Sequence, residues 1–370
     1  NSDTLARIGG DEFVVILESV EDEASPARTA QDLIDIMQQP YSVMGHAVNI
    51  SASLGIAIYP NDSQDIHTLI KHADIAMYRA KELGRNHFRY YTQSLSERTD
   101  KRLKTDAALR EALSLNQFSL HFQPIIDLTS CTVSHAEALI RWHHPEMGMV
   151  SPEYFIPLAE ENGLIHEIGL WVLREACRCH KEWKSQGLDL QKISINVSSI
   201  QFQKANLADA FKTILEEEAM EAHRIDIEIT ERYLMDQTER NIHYLNTLKK
   251  AGHTITVDDF GVGYSSMSYM KRLPLDIIKI DRSFISDIPE DRNDIQISQA
   301  IISLSHNLGY KATAEGVEIV EQFNFLRETL CDYAQGYYFS PPVPAHHFIT
   351  CVEQLNARLT NEIAPSEIDK

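Results

Sequence analysis

The sequence predicts an α/β protein built on a (β/α)8 barrel with an antiparallel first strand, preceded by a smaller, partial α/β segment. Three observations predict it. Eight short β-branched stretches, most of them followed by helical patterns, recur over roughly 250 residues, the span of such a barrel. Polar residues gather at the ends of those stretches, the position where a barrel assembles its chemistry. The 370 residues also exceed what one hydrophobic core usually organises, so a barrel plus a second piece is expected.

In chain order, Val14 to Leu17 and Val48 to Ile58 carry β-branched runs, with Gly9-Gly10 just ahead of the first. Asp65 to Leu83 has helical spacing, with Ile66, Leu69, Ile70, Ala73, Ala76, Met77 and Ala80 on one face, and Gly84 ends it. From Thr92 to about Ala112 the composition turns polar and charged, as in a connecting helix. The eight barrel strands follow: Phe118 to Ile126, Val133 to Trp142, Ile193 to Val197, Ile225 to Ile229, Thr254 to Asp258, Ile277 to Ile280, Ala312 to Ala314 and Ala334 to Phe339. Only Leu128 to Thr132 separate the first two, too few for a crossover helix, so this pair is expected as an antiparallel hairpin. The resulting division is a partial domain at 1–91, a linker helix at 92–109, the barrel at 110–358 and a tail at 359–370. The chain opens directly on a strand pattern and is expected to be a piece of something longer.

With 34 basic and 54 acidic residues the net charge is −20, which argues against a general nucleic-acid polymer or anionic membrane as partner. An anionic ligand would need positive charge supplied locally. Five cysteines, odd in number and without paired metal-site spacing, argue against a disulfide framework and for a reducing cytoplasm. No apolar run approaches the ~20 residues that span a bilayer. The adjacent pairs His143-His144 and His346-His347 point apart and are expected at the surface or in loops.

The informative residues lie in or beside the apolar strand patterns: Glu137, Asn196, Glu228 with Glu231, Asp258 with Asp259, Lys279 with Asp281, Glu315 with Glu318, and Gln335. Charge in such surroundings is costly unless paired or metal-bound. A single strand glutamate is ordinarily salt-bridged or exposed, and Glu231 alone could be a surface acid. Placement at six successive strands is much harder to obtain from structural needs. Carboxylates converging at one barrel mouth require cations between them, and an all-oxygen set suits Mg²⁺ or Mn²⁺. Asp258 and Asp259 are adjacent and would face opposite ways in a regular strand, so both can serve one site only where the strand ends, as Gly261 and Gly263 suggest.

Residues 110 to 356 resemble an EAL domain, the phosphodiesterase of bacterial cyclic di-GMP signalling. The motifs that carry this are Gln123-Pro124-Ile125, Glu137-Ala138-Leu139-Ile140-Arg141-Trp142, the Asn196 and Glu228 segments, Asp258-Asp259-Phe260-Gly261-Val262-Gly263-Tyr264-Ser265-Ser266, Lys279-Ile280-Asp281, Glu315-Gly316-Val317-Glu318 and Gln335-Gly336-Tyr337. The resemblance implies hydrolysis of cyclic di-GMP to linear pGpG with two Mg²⁺ or Mn²⁺ ions per site. Glu137, Asn196, Glu228 and Asp258 would hold one ion, and Asp258, Asp259 and Glu315 would organise the other. Glu315 is the implied general base, Lys279 would position water or stabilise charge, and Gln335 would hydrogen-bond nearby. Gln123, Arg141 and Glu318 match substrate contacts. Asp258 to Ser266 resembles a mobile loop coupled to dimerisation, with Glu231 as its anchor, so a homodimer through the barrel is implied. Val262 and Leu330 depart mildly from the family pattern, the latter standing where Gly is frequent.

The N-terminal piece resembles the later half of a GGDEF domain through Arg7 to Phe13, Ser53 to Ala57, Ala73 to Lys81 and Gly84-Arg85-Asn86. In that likeness Gly9, Gly10, Asp11 and Glu12 form the turn, Glu12 matches a metal-binding carboxylate, and Lys81 and Arg85 match phosphate contacts. The family makes cyclic di-GMP from GTP, so GTP is implied only for a complete domain in a longer parent chain. A non-hydrolysing cyclic di-GMP receptor and a bifunctional cyclase-phosphodiesterase stand as alternatives.

Overall fold

The computed structural model describes residues 3–18, 20, 25–203, 206–235, 239–263 and 270–363. The chain divides into two compact units, Asn1–Ala107 and Ala108–Lys370.

In the first unit, β1 (Thr4–Gly9) and β2 (Glu12–Ile16) form a hairpin, followed by α1 (Ser25–Met37), the short hairpin of β3 (Tyr41–Val43) and β4 (His46–Val48), then β5 (Leu54–Ile56), α2 (Ile66–Glu82) and β6 (Phe88–Tyr90). The β5 and β6 strands pair in parallel, as the intervening α2 crossover allows. Helix α2 starts where Asp65 accepts a hydrogen bond from the Thr68 amide at 2.8 Å, and it ends before Gly84, whose φ of +111° suits glycine. Helix α3 (Gln93–Ala112) follows.

The second unit is the barrel. Strands β7 (Phe118–Asp127) and β8 (Thr132–His144) form the antiparallel hairpin expected from their short connection. The turn is held by Asp127, whose Oδ1 accepts from the Thr129 and Ser130 amides at 2.9 Å each. After β9 (Gly148–Val150), α4 (Pro152–Asn162) and α5 (Ile165–Ser185) come β10 (Lys192–Asn196), α6 (Leu207–Glu217), β11 (Ile225–Thr230), α7 (Glu231–Met235), α8 (Glu239–Ala251), β12 (Thr254–Phe260) and β13 (Ile277–Ile280). The chain continues through α9 (Arg292–Asn307), β14 (Lys311–Ala314), α10 (Val320–Glu328), β15 (Tyr333–Ala334), β16 (Val343–Pro344) and α11 (Ala345–Ile363). Parallel pairing links β8, β10, β11, β12, β13, β14 and β15 in that order. The circle closes because β7 pairs antiparallel with both β8 and β15.

Alternation along the strands sorts apolar from polar. On β11, Ile225, Ile227 and Ile229 are buried in the hydrophobic core, while Asp226 and Glu228 are buried polar residues of the alternate positions. Helices supply the other side of that core: α5 buries Ile165, Ile168, Val172, Leu173, Ala176 and Trp183 at helical spacing. The usual barrel interior is layered with Val, Ile and Leu. Here Ser194, Asp226, Thr256, Lys279 and Thr313 are buried instead.

The eighth strand corrects the expected boundary, since it stops at Ala334 rather than continuing to Phe339. Beyond it the chain turns onto the Val317 segment, with Val317 N donating to Gln335 O at 3.1 Å and Tyr338 N to Val317 O at 2.9 Å. Gly336 permits this approach, because a Cβ there would lie 2.0 Å from the Val317 carbonyl oxygen. All five cysteines are free thiols, four of them buried. Among the described residues no helix is long and apolar enough to cross a membrane.

Candidate active site at the barrel mouth

The site is organised by Lys279, which β13 carries with only 1% of its surface exposed. Its ammonium lies 2.6 Å from Glu315 Oε1, 2.8 Å from Glu228 Oε2, 3.2 Å from Asp258 Oδ1 and 3.4 Å from Glu137 Oε2. One cation thus faces four carboxylates from four strands or strand ends, and the cluster stays net negative. Burial disfavours charge on Lys279, but Asp258, Glu137, Glu228 and Glu315 outweigh it and hold the ammonium charged well above its ordinary range.

The carboxylates differ. Burial alone would raise Glu137, yet the Lys279 charge and the hydrogen bonds from Gln335 and Asn196 hold it below the ordinary range. Asn196 Nδ2 donates to Glu137 Oε1 at 2.8 Å, and Gln335 Nε2 donates to Glu137 Oε2 at 2.7 Å and to Gln123 Oε1 at 2.9 Å. Gln123 in turn donates to the Ser340 carbonyl at 3.0 Å. Burial and the neighbouring Glu137 push Glu228 well above its ordinary range despite Lys279. Glu315 is pushed up to about 8 by burial and by Asp258 and Glu137, against the pull of Lys279.

Asp258, Asp259 and Glu315 each place a carboxylate oxygen within 4.8 Å of the others. Both adjacent aspartates reach the site through a backbone irregularity: β12 runs on to Phe260, its register with β13 shifts between Val257 and Phe260, and Asp259 takes a φ of +55°. A bulge, rather than the end of the strand, therefore defeats the alternation. Burial and the neighbouring Asp258 and Asp281 raise the Asp259 carboxyl.

This donor set fits hard divalent cations. It is all oxygen, it is net negative, and the buried Gln335 Oε1 accepts no hydrogen bond, while Asp258 Oδ1 faces only the Lys279 ammonium at 3.2 Å.

Residues 106–342 match the family model described as the EAL domain. The chain belongs to the EAL family. Residues 1–87 match the model described as diguanylate cyclase, GGDEF domain. Over 344 residues the chain is 39% identical to a protein of Pseudomonas aeruginosa named cyclic di-GMP phosphodiesterase NbdA, covering 93% of this chain and 44% of that one. It is 41% identical over 350 residues to the bifunctional diguanylate cyclase/cyclic di-GMP phosphodiesterase MucR of the same organism, covering 95% and 51%. The chain thus spans about half the length of these curated relatives. Among solved structures, the one described as PaMucR phosphodiesterase, c-di-GMP complex, is 39% identical with a TM-score of 0.63, covering 66% of this chain and 99% of that one. An EAL domain protein from Listeria monocytogenes is 31% identical with a TM-score of 0.56, covering 65% and 94%.

Other expected residues of the EAL domain are positioned as follows. Glu231, buried at the start of α7, accepts from the Gly261 and Gly263 amides at 3.0 and 3.2 Å, and its carboxylate lies where a Gly263 Cβ would intrude. Of the expected loop, Tyr264 to Ser266 lie outside the described residues. Arg141 is half-buried with Nη1 donating to the Ile140 carbonyl at 2.9 Å, and the backbone amide of the exposed Glu318 donates to Gln322 Oε1 at 2.7 Å. Asp281 caps the short helix Arg282–Phe284, its Oδ1 accepting from Ser283 N at 2.9 Å. In the N-terminal unit the Gly9-Gly10-Asp11-Glu12 turn joins β1 and β2, fastened by Arg7 Nη2 donating to Gly10 O at 2.6 Å. Glu12, Lys81 and Arg85 are exposed, and among the described residues no metal-ligating group of three includes Glu12.

Sequence reasoning missed Asp226. Its Oδ2 accepts from Ser194 Oγ at 3.0 Å and Thr256 Oγ1 at 2.9 Å, and its Oδ1 accepts from Thr256 Oγ1 at 2.8 Å. The alternation Ile225-Asp226-Ile227-Glu228-Ile229, which places both acids on one face, was the available signal.

Proposed function

We propose that this EAL domain hydrolyses one phosphodiester bond of cyclic di-GMP, releasing the linear dinucleotide pGpG. The observation that carries the reading is the convergence of Lys279 with Glu137, Glu228, Asp258 and Glu315 at one mouth of the barrel. The named phosphodiesterase relatives and the cyclic di-GMP complex of a 39% identical structure support the same substrate.

Asn196, Glu137, Glu228 and Asp258 would hold one Mg²⁺ or Mn²⁺, and Asp258, Asp259 and Glu315 a second. Such ions polarise the phosphate oxygens and lower the pKa of water. The chain's own groups do the rest. Glu315 would take the proton of the attacking water; burial, Asp258 and Glu137 push its carboxyl up to about 8, so it serves as base once nearby cations offset those acids and ionise it. Water oxygen bonds to phosphorus, the bond from phosphorus to the ribose 3′-oxygen breaks, and that oxygen leaves with a proton. The 5′-phosphate of pGpG follows from this choice of bond. Lys279 orients the carboxylates and adds positive charge toward the phosphate, while Gln335 steadies Glu137 and Gln123. Gln123, Arg141 and Glu318 would contact the dinucleotide, with the Arg141 guanidinium matched to a phosphate oxygen or guanine edge. Glu231 would anchor the 258–266 loop, and the active form would be a homodimer through the barrel.

The test is to incubate the chain with cyclic di-GMP and Mg²⁺ or Mn²⁺ and to follow pGpG by chromatography, with Ca²⁺ in a parallel binding titration. Production of pGpG is expected. Bound ligand without pGpG would sink the reading, and an active monomer at all concentrations in sedimentation would remove the dimer from it.

A further inference from the structure

We propose that Asp226 is a positioning residue, a tie across three strands that sets the spacing of the ligands above it. The proposal rests on the metal-site reading of the barrel mouth. Ser194, Asp226 and Thr256 each stand two residues before a candidate ligand of the same strand, namely Asn196, Glu228 and Asp258. Period-two alternation puts each pair on the same face. In the register Ser194 lies opposite Asp226 and Asn196 opposite Glu228, while on β12 Thr254 lies opposite Asp226 and Thr256 opposite Glu228, so Asp226 reaches Thr256 diagonally.

One carboxylate on β11 therefore joins β10 and β12, through residues that each stand two positions before a candidate ligand on their strand. Its contacts are the Ser194 and Thr256 hydroxyls, at 2.8 to 3.0 Å. Backbone ladders fix the distance between neighbouring strands but leave each strand's roll about its own axis soft. A side-chain bridge on the inner face constrains that roll, and with it the direction of the side chain two residues on. All three residues are buried, Thr256 and Ser194 at 1% exposure each. A buried acid is costly where Val, Ile or Leu would fill the layer, so a purely space-filling layer would not hold one.

Thr256→Val removes the hydroxyl and keeps the shape, while Thr256→Ser keeps the hydroxyl. Mn²⁺ alone is titrated into the full chain and followed by calorimetry or by the resonance of free Mn²⁺, independently of turnover. Thr256→Val is expected to bind Mn²⁺ about tenfold more weakly, in the range that outer hydrogen-bond partners are worth in metal affinity, with Thr256→Ser close to the parent chain. Excess Mn²⁺ is expected to restore turnover in Thr256→Val, which loss of a direct ligand would not allow. Asp226→Asn, which retains an acceptor and the shape, is expected to bind better than Asp226→Ala. Equal Mn²⁺ affinity in Thr256→Val and the parent chain overturns the tie while leaving the metal site standing. Equal losses in Asp226→Asn and Asp226→Ala also overturn it, because charge and not the bridge would then matter. A parent chain that binds no Mn²⁺ overturns the metal reading and the tie together.

Discussion

Replacing Lys279 with Met removes the one ammonium that Glu137, Glu228, Asp258 and Glu315 share. Methionine fills most of the same space, so the change is chiefly electrostatic. Breaking a buried ion pair by deleting one partner costs about 3 to 5 kcal/mol. Taking about 4 kcal/mol, the melting temperature of a unit this size falls by roughly 10 °C. The loss depends on pH. Without the lysine, the Glu228 and Glu315 carboxyls, already raised by burial, rise further, so the folded state holds protons that the unfolded state has released. Stability then falls as pH rises, and because Glu315 in the parent chain already holds its proton up to about pH 8, the deficit against the parent grows as pH rises above about 8. The assay is thermal unfolding by tryptophan fluorescence in a chelator. Trp142, Trp171 and Trp183 are the three tryptophans and all belong to the barrel unit, so the signal reports that unit alone. Adding Mn²⁺ is expected to narrow the gap by supplying the missing positive charge. If the variant melts with the parent chain in chelator at about pH 9, the reasoning that Lys279 holds this cluster together is refuted.

Glu137→Ala is expected to lower pGpG formation by more than about 100-fold while leaving the tryptophan-monitored melt within a few degrees, since Glu228, Asp258 and Glu315 still pair the Lys279 ammonium and one like charge is removed; near-parent turnover at saturating Mg²⁺ counts against its assignment. Leu330→Gly is expected to stabilise the barrel by about 0.5 to 1 kcal/mol in urea unfolding. The position has φ +61° just after α10, where glycine is favoured, and its side chain is 75% exposed and loses little packing; an unchanged midpoint would show that the left-handed conformation carries no strain there. His253 is buried and kept neutral, its pKa lowered to about 4 against an ordinary 6.5. The unfolded chain therefore takes up this proton first, stability is complete above about pH 6.5, and about 3 kcal/mol is lost by about pH 4. His253→Gln should flatten that acid limb of the stability profile, and an identical slope in the two proteins would remove His253 as its cause.

The readable part of this molecule is the part governed by local rules. Two-residue alternation along Ile225–Ile229 and its counterparts located the strands, the short Leu128–Thr132 connection required the hairpin, and Asp65 and Gly84 bracketed α2. The converging carboxylates were visible because acids embedded in apolar strands are conspicuous. What escaped depends on which distant backbone approaches which. Nothing near Gly336 announces that Val317 packs against it and ends β15 at Ala334. The left-handed Asp259 that brings two consecutive acids to one mouth is a local distortion whose purpose lies in β13 and β14. Asp226 shares the period of Glu228, but its two hydroxyl partners, Ser194 and Thr256, stand on neighbouring strands that its own segment does not reveal.

The seam of the barrel has a consequence for how the chain becomes competent. Gln335 meets Gln123 and Glu137 across 212 and 198 residues, so the polar chain around Glu137 closes only when the last strand docks on the first. During synthesis Glu137 emerges long before its partner exists, and a nascent barrel holds its acids without the amide that orders them. Competence should consequently arrive in one step near the end of translation rather than accumulate. Two fragments cut in a surface loop of the barrel would recover activity only upon reassociation, making this domain a natural binary reporter of its own completion.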